Sequence, residues 1–313
     1  MSASTTTTTT TTEMKDDGNS SLPIAALSLP SPVNLTPMPK QRPVCITLDS
    51  LRIFILSISL ISLVHFSDAL VVEITLVLVP FLLVVHNDYE NFISLGPGGT
   101  PSTLSGYLRI SWLRLWTLRD PFTPPKPTPN CLPLKGILSQ QALPFRLGPK
   151  PRVVGIAPQR QIDQPGSRYC YQALRRTLEK LSLKKPGKFG TERSCIEKHG
   201  LALFARHPVQ TACQGEICHV HDSDHSMHMC LHPDDSKEVL SRGWGQRHPL
   251  AWKWWFLTMP VATDFVMIYA PRVLIGFADD DELRTVCKIV EAAIWYSTAE
   301  QTEIDVYLNK VGN

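Results

Sequence analysis

Six histidines fall between His219 and His248: His219, His221, His225, His228, His232 and His248. Imidazole titrates near neutral pH and is a common metal ligand, so proton transfer or metal binding by this chain is expected there. His219 and His221 alternate with Val220 in GEICHVHD, which reads as a strand, so both project from one face. His228 lies in SMHMCL, which reads as the returning strand of an antiparallel pair with its turn around Ser223 and Asp224. Three imidazoles on one face suit a metal ion, with Asp222 as a carboxylate ligand or as a partner behind one. They suit proton transfer equally well. A hydrogen-bonded polar face without chemistry is the competing reading. His199, at the head of an earlier strand in KHGLALF, is a further candidate, whereas His225 and His232 are expected in solvated turns.

A second cluster, GWGQRHPL from Gly243 to Leu250, follows closely. Trp244 offers a flat stacking surface. Arg247 can fork onto an enolate, carboxylate or carbonyl oxygen. His248 precedes Pro249 and is therefore held extended, and Gln246 adds an amide. Gly243 reads as a helix cap, and a buried turn after that cap is the bland alternative. The chain has no GxSxG elbow, no P-loop and no GxGxxG opening a helix, so a flavin or nicotinamide cofactor has no support.

Positioning these residues requires a sheet and helices. YCYQALRRTLEKLSLKK has helical apolar spacing, CIEKHGLALFARHP reads as a strand, and PDDSKEVLSRG as a short helix with Asp234 or Asp235 as cap. DFVMIYAP is another strand, and DDDELRTVCKIVEAAIWYS is an amphipathic helix with acids at its start. The order α-β-β-β-α-β-α predicts an α+β fold, an antiparallel sheet with helices packed on one face.

Upstream, residues 51–85 are two apolar runs broken at Ser67 and Asp68. Neither run shows a polar face, which favours a membrane anchor over a buried helical pair. The anchor is either a single span, formed by the second run, or a hairpin. Lys40, Arg42 and Arg52 precede the block and Asp88 and Glu90 follow it, so the N-terminus is expected in the cytosol. The expected organisation is a Thr/Ser/Pro-rich disordered tail over 1–48, a transmembrane segment over 49–86, a linker with an amphipathic and a Pro-rich part over 87–160, and the α+β domain over 161–313. Arg109, Arg114 and Arg119 interleave with Leu108, Trp112, Leu113 and Trp116, a pattern that fits either a headgroup-level helix or an ordinary packed one. The expected location is a membrane, the endoplasmic reticulum or another endomembrane. A net charge of only +3 argues against nucleic acid as a partner. Eight cysteines without a CxxC pair point to free buried thiols rather than a zinc ribbon.

The runs EICHVHD, MHMCL, KEVLSRGWGQRHPLA, IYAPR and VCKIVEAAIWYS, in this order and spacing, resemble the luciferase of luminous mushrooms. So do HNDYENFISLGP, LSGYL, LPFRLGPKPRVVGIAPQRQ and KHGLALF, which extend the resemblance from Val85 to Thr298. It implies a membrane-anchored oxidoreductase that adds O2 to a hydroxylated styryl-pyrone without flavin. The implied partners are a small aromatic or pyrone-like substrate and a membrane. No cofactor is expected beyond O2 as co-substrate, with a metal possible at His219, His221 and His228. The implied site comprises His199, His219, His221, Asp222, His228, Trp244, Gln246, Arg247 and His248. In this scheme His219 or His221 removes an enol proton, Arg247 steadies the anion and Trp244 stacks on the ring. The turn after Asp222 is shorter than in the family, and the WKWWFL insert and the poly-Thr run are additional, so a different pocket wall is expected and light emission is not implied. The alternatives are a non-catalytic ligand- or metal-binding module at a membrane, and hydrolysis by a metal-bound water.

Overall fold

The computed structural model describes residues 39–42, 50–66, 70–127, 132–210, 212–253, 259–273 and 280–307. Most of the expected tail, the Ser67–Asp68 break and most of the WKWWFL insert lie outside them. In chain order the elements are α1 (Ser50–Phe66), α2 (Leu70–Ser94), α3 (Leu104–Arg114), β1 (Val153–Gly155), β2 (Gln159–Gln161), α4 (Arg168–Lys184), β3 (Phe189–Arg193), β4 (Leu201–Ala205), β5 (Glu216–Val220), β6 (Met227–Cys230), α5 (Pro233–Ser241), β7 (Gly245–Arg247), β8 (Phe265–Ile268) and α6 (Asp281–Thr298). The described residues form one compact unit.

Six strands make an antiparallel sheet in the order β3-β4-β5-β6-β8-β7, and β1 and β2 form a separate hairpin. The expected antiparallel α+β architecture is present, with two strands, β3 and β7, that the sequence pattern did not announce. Helices α4 and α6 cover one face, where Cys218 of β5 lies close to Cys287 of α6. Leu283, Val286, Ile289, Val290 and Ile294 of α6 are fully buried, each contributing about 1.5–3 kcal/mol of hydrophobic stabilisation. The opposite face is not left to solvent either, since β5, β6 and β8 are buried at every position. Residues before α4 cover it. Phe92 of α2, Tyr107 and Ile110 of α3, and Ile156 pack with Leu250 and Met259 into a second apolar cluster.

Helix α3 begins at Thr103, whose hydroxyl accepts from the Gly106 N–H at 3.2 Å. It buries Tyr107 and Ile110 while leaving Leu104, Leu108, Trp112 and Leu115 exposed. Helix α2 is the one helix among the described residues long and apolar enough to cross a bilayer, with a window of mean hydropathy 2.2 that is 0% buried. Its C-terminal end turns into the domain, where Asp88 accepts from the Tyr107 hydroxyl at 2.9 Å and pairs with Arg114. Residues 39–42 lie against the same end, with the Arg42 N–H donating to the Asn91 Oδ1 at 2.6 Å.

Helix α5 corrects one expectation. Neither Asp234 nor Asp235 caps it. His232 does, its Nδ1 accepting from the Asp234 N–H at 3.2 Å. Pro233 holds the first helical position, where the missing N–H costs nothing. Asp235 instead turns inward and accepts from the backbone N–H groups of Leu138, at 2.7 Å, and Ile137, at 3.2 Å. Gly136 makes room for it, because a Cβ there would sit 2.3 Å from the Asp235 Oδ1. Asp235 is fully buried, so Asp235→Ala strands two backbone donors. The variant is expected to lose on the order of 2–4 kcal/mol of unfolding free energy, measured by denaturant titration.

Candidate active site

Strand β5 aims its histidines through an irregularity. Leu203 pairs with Cys218, but Phe204 pairs with Glu216, so the register shifts and Ile217 is left over. In a regular strand, residues three apart point to opposite faces. The bulge returns Glu216 to the face of His219. The Glu216 Oε1 lies 2.6 Å from the His219 Nδ1, and both side chains are buried. The hydrogen bonds from His219, Cys195 and Ser194 hold the Glu216 carboxyl below its ordinary range, against the burial that would raise it. It is therefore an anion that only accepts, and the hydrogen belongs to the His219 Nδ1.

His221 is locked in the same sense. Its Nδ1 lies 2.8 Å from the Ser226 Oγ, and that hydroxyl donates to the Asp224 Oδ2 at 2.8 Å. The Asp224 Oδ2 also accepts the Gln161 N–H at 2.6 Å, so strand β2 fixes the carboxyl. Ser226 has a single hydrogen and gives it to Asp224, so the His221 Nδ1 must be the donor toward Ser226. The Asp224 Oδ1 stands 3.2 Å from the same nitrogen, off the hydrogen-bond line.

His228 pairs with His219 across β5 and β6, as the alternation predicts. Its Nδ1 faces the Nε2 of His221 at 2.9 Å and that of His219 at 3.3 Å. Its Nε2 lies 2.8 Å from the Gln159 Oε1. Burial, followed by the positive charges and imidazoles around them, pushes His221 and His228 well below the usual histidine range, so both rings are neutral. A neutral His228 has one N–H, and the amide oxygen takes it. One nitrogen of each ring, His219 Nε2, His221 Nε2 and His228 Nδ1, therefore points to a common spot, and the three lie within 4.8 Å of one another. This donor set could hold a metal ion.

The histidines close one end of a cavity of about 590 Å³. His219, His228, His248 and Phe265 come from the sheet side, and Ile156, Leu250, Met259 and Val261 supply apolar walls. Phe265 stacks on the His228 ring at 5.0 Å and 13°. Polar groups also reach the cavity. Arg109 of α3 and Gln159 line it, as does Glu197, which pairs with the buried Arg160. The Gln159 Nε2 is buried and has no hydrogen-bond partner among the described residues.

His219, His221, His228 and His248 are thus brought together, with His219, His228 and His248 on the cavity and His221 behind His228. His248 is held neutral in a fixed orientation. Its Nε2 lies 2.8 Å from the Ile156 carbonyl, its Nδ1 accepts from the Leu250 N–H at 3.1 Å, and burial lowers its pKa to about 4. The remaining candidates are elsewhere. His199 is exposed in the turn before β4. Asp222 accepts from the Tyr171 hydroxyl beyond the end of β5. Trp244 is buried, its indole N–H donating to the Pro144 carbonyl at 2.6 Å, and Gln246 accepts from the Tyr269 hydroxyl at 3.1 Å. Arg247 sits on the wrong side of its strand. Gln246 pairs with Met267, which pairs with His228, so alternation turns Arg247 away from the histidine face. Its guanidinium donates to the carbonyls of Thr123, at 3.3 Å, Thr263, at 3.0 Å, and Ala251. His225 and His232 are also not solvated turn residues. His225 stacks on Tyr171 at 4.4 Å and bonds to the Gly166 carbonyl, while His232 caps α5.

The sequence pattern missed Glu216, Asp224, Ser226 and Gln159. Glu216 has the wrong parity for His219 unless a bulge is known. Gln159 and Gln161 do lie in the APQRQ stretch that carries the family resemblance, which was the available signal.

The fold and site define an α+β protein with a small-molecule-sized cavity ending on a buried histidine face. Residues 214–293 match the family model of the luciferase domain. The chain is 30% identical to the luciferase of Armillaria ostoyae over 236 residues, covering 68% of this chain and 82% of that relative. The Armillaria mellea luciferase aligns with the same identity and coverage. That of Neonothopanus nambi is 28% identical over 239 residues, 69% of this chain and 82% of the relative. No solved structure matches. The chain belongs to the fungal luciferase family, and its function is luciferase-like.

Two expectations follow. Arg247→Ala removes the donor for three carbonyls and should cost on the order of 2–3 kcal/mol in unfolding free energy, while ligand affinity for the cavity, read by calorimetry, stays unchanged. His248 gives a pH signature. Its folded pKa is depressed from 6.5 to about 4, so between these values the unfolded chain binds the extra proton. His248 therefore costs stability as pH falls below about 6.5. Over that window the slope of stability against pH should be shallower for His248→Gln than for the wild type.

Proposed function

We propose that this chain is a membrane-anchored, luciferase-like oxygenase that acts on a small conjugated enol such as a hydroxypyrone and uses O2 without flavin. The observation that carries the reading is the cavity of about 590 Å³ ending on His219 and His228. Its volume is in the range of small-molecule sites. Apolar walls suit a flat conjugated ring, and the Gln159 amide is a donor with no other acceptor. An acidic enol placed at the histidine face passes its proton to the His219 Nε2, whose Nδ1 is held by the Glu216 carboxylate. Arg109 supplies positive charge on the same cavity for the anion that remains. The electron-rich enolate can then supply the electrons that O2 takes up, which removes the need for a flavin. In this reading Arg109 takes the role that the sequence assigned to Arg247.

Membrane attachment rests on α2, whose apolar window is exposed along its length.

The reading is tested on full-length protein in membranes, with oxygen consumption followed on adding a hydroxylated conjugated pyrone. Oxygen uptake that depends on the pyrone is expected, with Arg109→Ala lowering kcat by about 100-fold and leaving the fold intact. The protein should stay with the membrane pellet through alkaline carbonate extraction. Saturable pyrone binding without oxygen uptake would instead favour the non-catalytic binding module.

A further inference from the structure

We infer that His219, His221 and His228 form a binding site for a zinc-class divalent metal ion, with its open coordination position facing the cavity. Each of the three rings has an acceptor for one hydrogen. The Glu216 carboxylate takes the His219 Nδ1 hydrogen, the Ser226–Asp224 pair takes that of His221, and the Gln159 amide oxygen takes the His228 Nε2 hydrogen. The His219 Nε2, His221 Nε2 and His228 Nδ1 are then the nitrogens left facing one another. The His228 Nδ1 faces the His221 Nε2 at 2.9 Å and the His219 Nε2 at 3.3 Å. Lone pairs at that separation cannot satisfy one another. A cation bonded to all three turns their mutual repulsion into binding.

Tetrahedral Zn–N bonds of about 2.0–2.1 Å set the nitrogens about 3.3 Å apart, which is the 3.3 Å His219–His228 separation. The His221–His228 contact at 2.9 Å widens by a few tenths of an ångström on binding, and the His219 and His221 nitrogens, within 4.8 Å of each other, draw together by rotation of their rings. Three imidazoles with a fourth position left to a small molecule are a donor set that late first-row divalent ions accept. The surroundings fit as well. Histidine ligands of metals characteristically donate their other N–H to a carboxylate or a carbonyl group. Here Glu216 stands directly behind His219, Asp224 stands behind His221 through Ser226, and an amide carbonyl stands behind His228. The two carboxyl groups also offset part of the ion's charge in a site where all three histidines are buried. His219 and His228 line the cavity, so the fourth position opens onto it.

The site itself stands on this geometry alone. One consequence rests on the oxygenase reading, namely that the ion would hold the enol oxygen and favour loss of its proton as a Lewis acid.

The test uses the full-length chain in detergent, purified without a polyhistidine tag and without chelator. Elemental analysis should find about one equivalent of a divalent transition metal per chain. After removal by phenanthroline, Co2+ should restore one equivalent and give the visible absorption of a tetrahedral site. Glu216→Gln should weaken Co2+ binding on the order of 10–100-fold, and His221→Ala should abolish it. A folded wild-type chain that neither carries nor takes up metal overturns the inference, as does stoichiometric metal in His221→Ala. Circular dichroism checks the fold of each sample, and the wild-type result stands alone if a variant fails to fold. Oxygen uptake is scored separately. Uptake by a folded, metal-free chain removes the ion but keeps the oxygenase, whereas metal binding without uptake keeps the ion site and removes the oxygenase reading.

Discussion

The hydrogen bonds behind the three buried histidines decide what the site can do. Imidazole has two nitrogens, and which one carries the hydrogen is set by the acceptor the ring finds. Glu216 and the Ser226–Asp224 pair each claim an Nδ1 hydrogen, and Gln159 claims an Nε2 hydrogen. The remaining nitrogens then converge at the end of the cavity. Without those acceptors the rings would be free to exchange hydrogens with one another, and the face would become an ordinary buried polar network. The bulge between β4 and β5 is the backbone device that makes the first of these locks possible.

The same constraint explains why the sheet is covered on both sides. Neutral histidines stay neutral because they are dry, and burial is the largest cause of the depressed pKa of His221, His228 and His248. Residues before α4 provide the cover. The hairpin β1–β2 brings Gln159, Arg160 and Gln161 over the sheet, Ile156 and Ala157 join the cavity wall, and α3 contributes Arg109 and Leu113. The stretch that composition marks as a linker is therefore part of the site. Arg160, buried with Glu197 and bonded to the Pro97 carbonyl at 2.8 Å, ties that cover to the turn before β4.

Alternation placed His219, His221 and His228 on one face correctly, because period-two geometry is a local property of the strand. It also placed α4, α5 and α6, whose apolar spacing is local too. The failures share a cause. Nearness in sequence and chemical suitability group Arg247, Trp244 and Gln246 with the histidines. Their true neighbours were fixed by the antiparallel β7–β8 pairing and by the carbonyls of Thr123, Ala251 and Thr263, which no local pattern encodes. Glu216 was invisible for a similar reason, since a bulge in the β4–β5 pairing reverses its parity and strand alternation does not announce it. Asp235 looked like a cap by position, yet the N–H groups of Ile137 and Leu138, about a hundred residues away, claimed it.

The tautomers of three rings carry this account, and nitrogen-15 NMR of selectively labelled histidines reads them directly. Long-range nitrogen–proton correlations on the full-length protein near pH 7 should show His221 neutral with its hydrogen on Nδ1 and His228 neutral with its hydrogen on Nε2. The His219 Nδ1 should be protonated. A His221 ring with its hydrogen on Nε2, donating toward His228, would contradict the account, because the lone pairs would then no longer converge on the cavity.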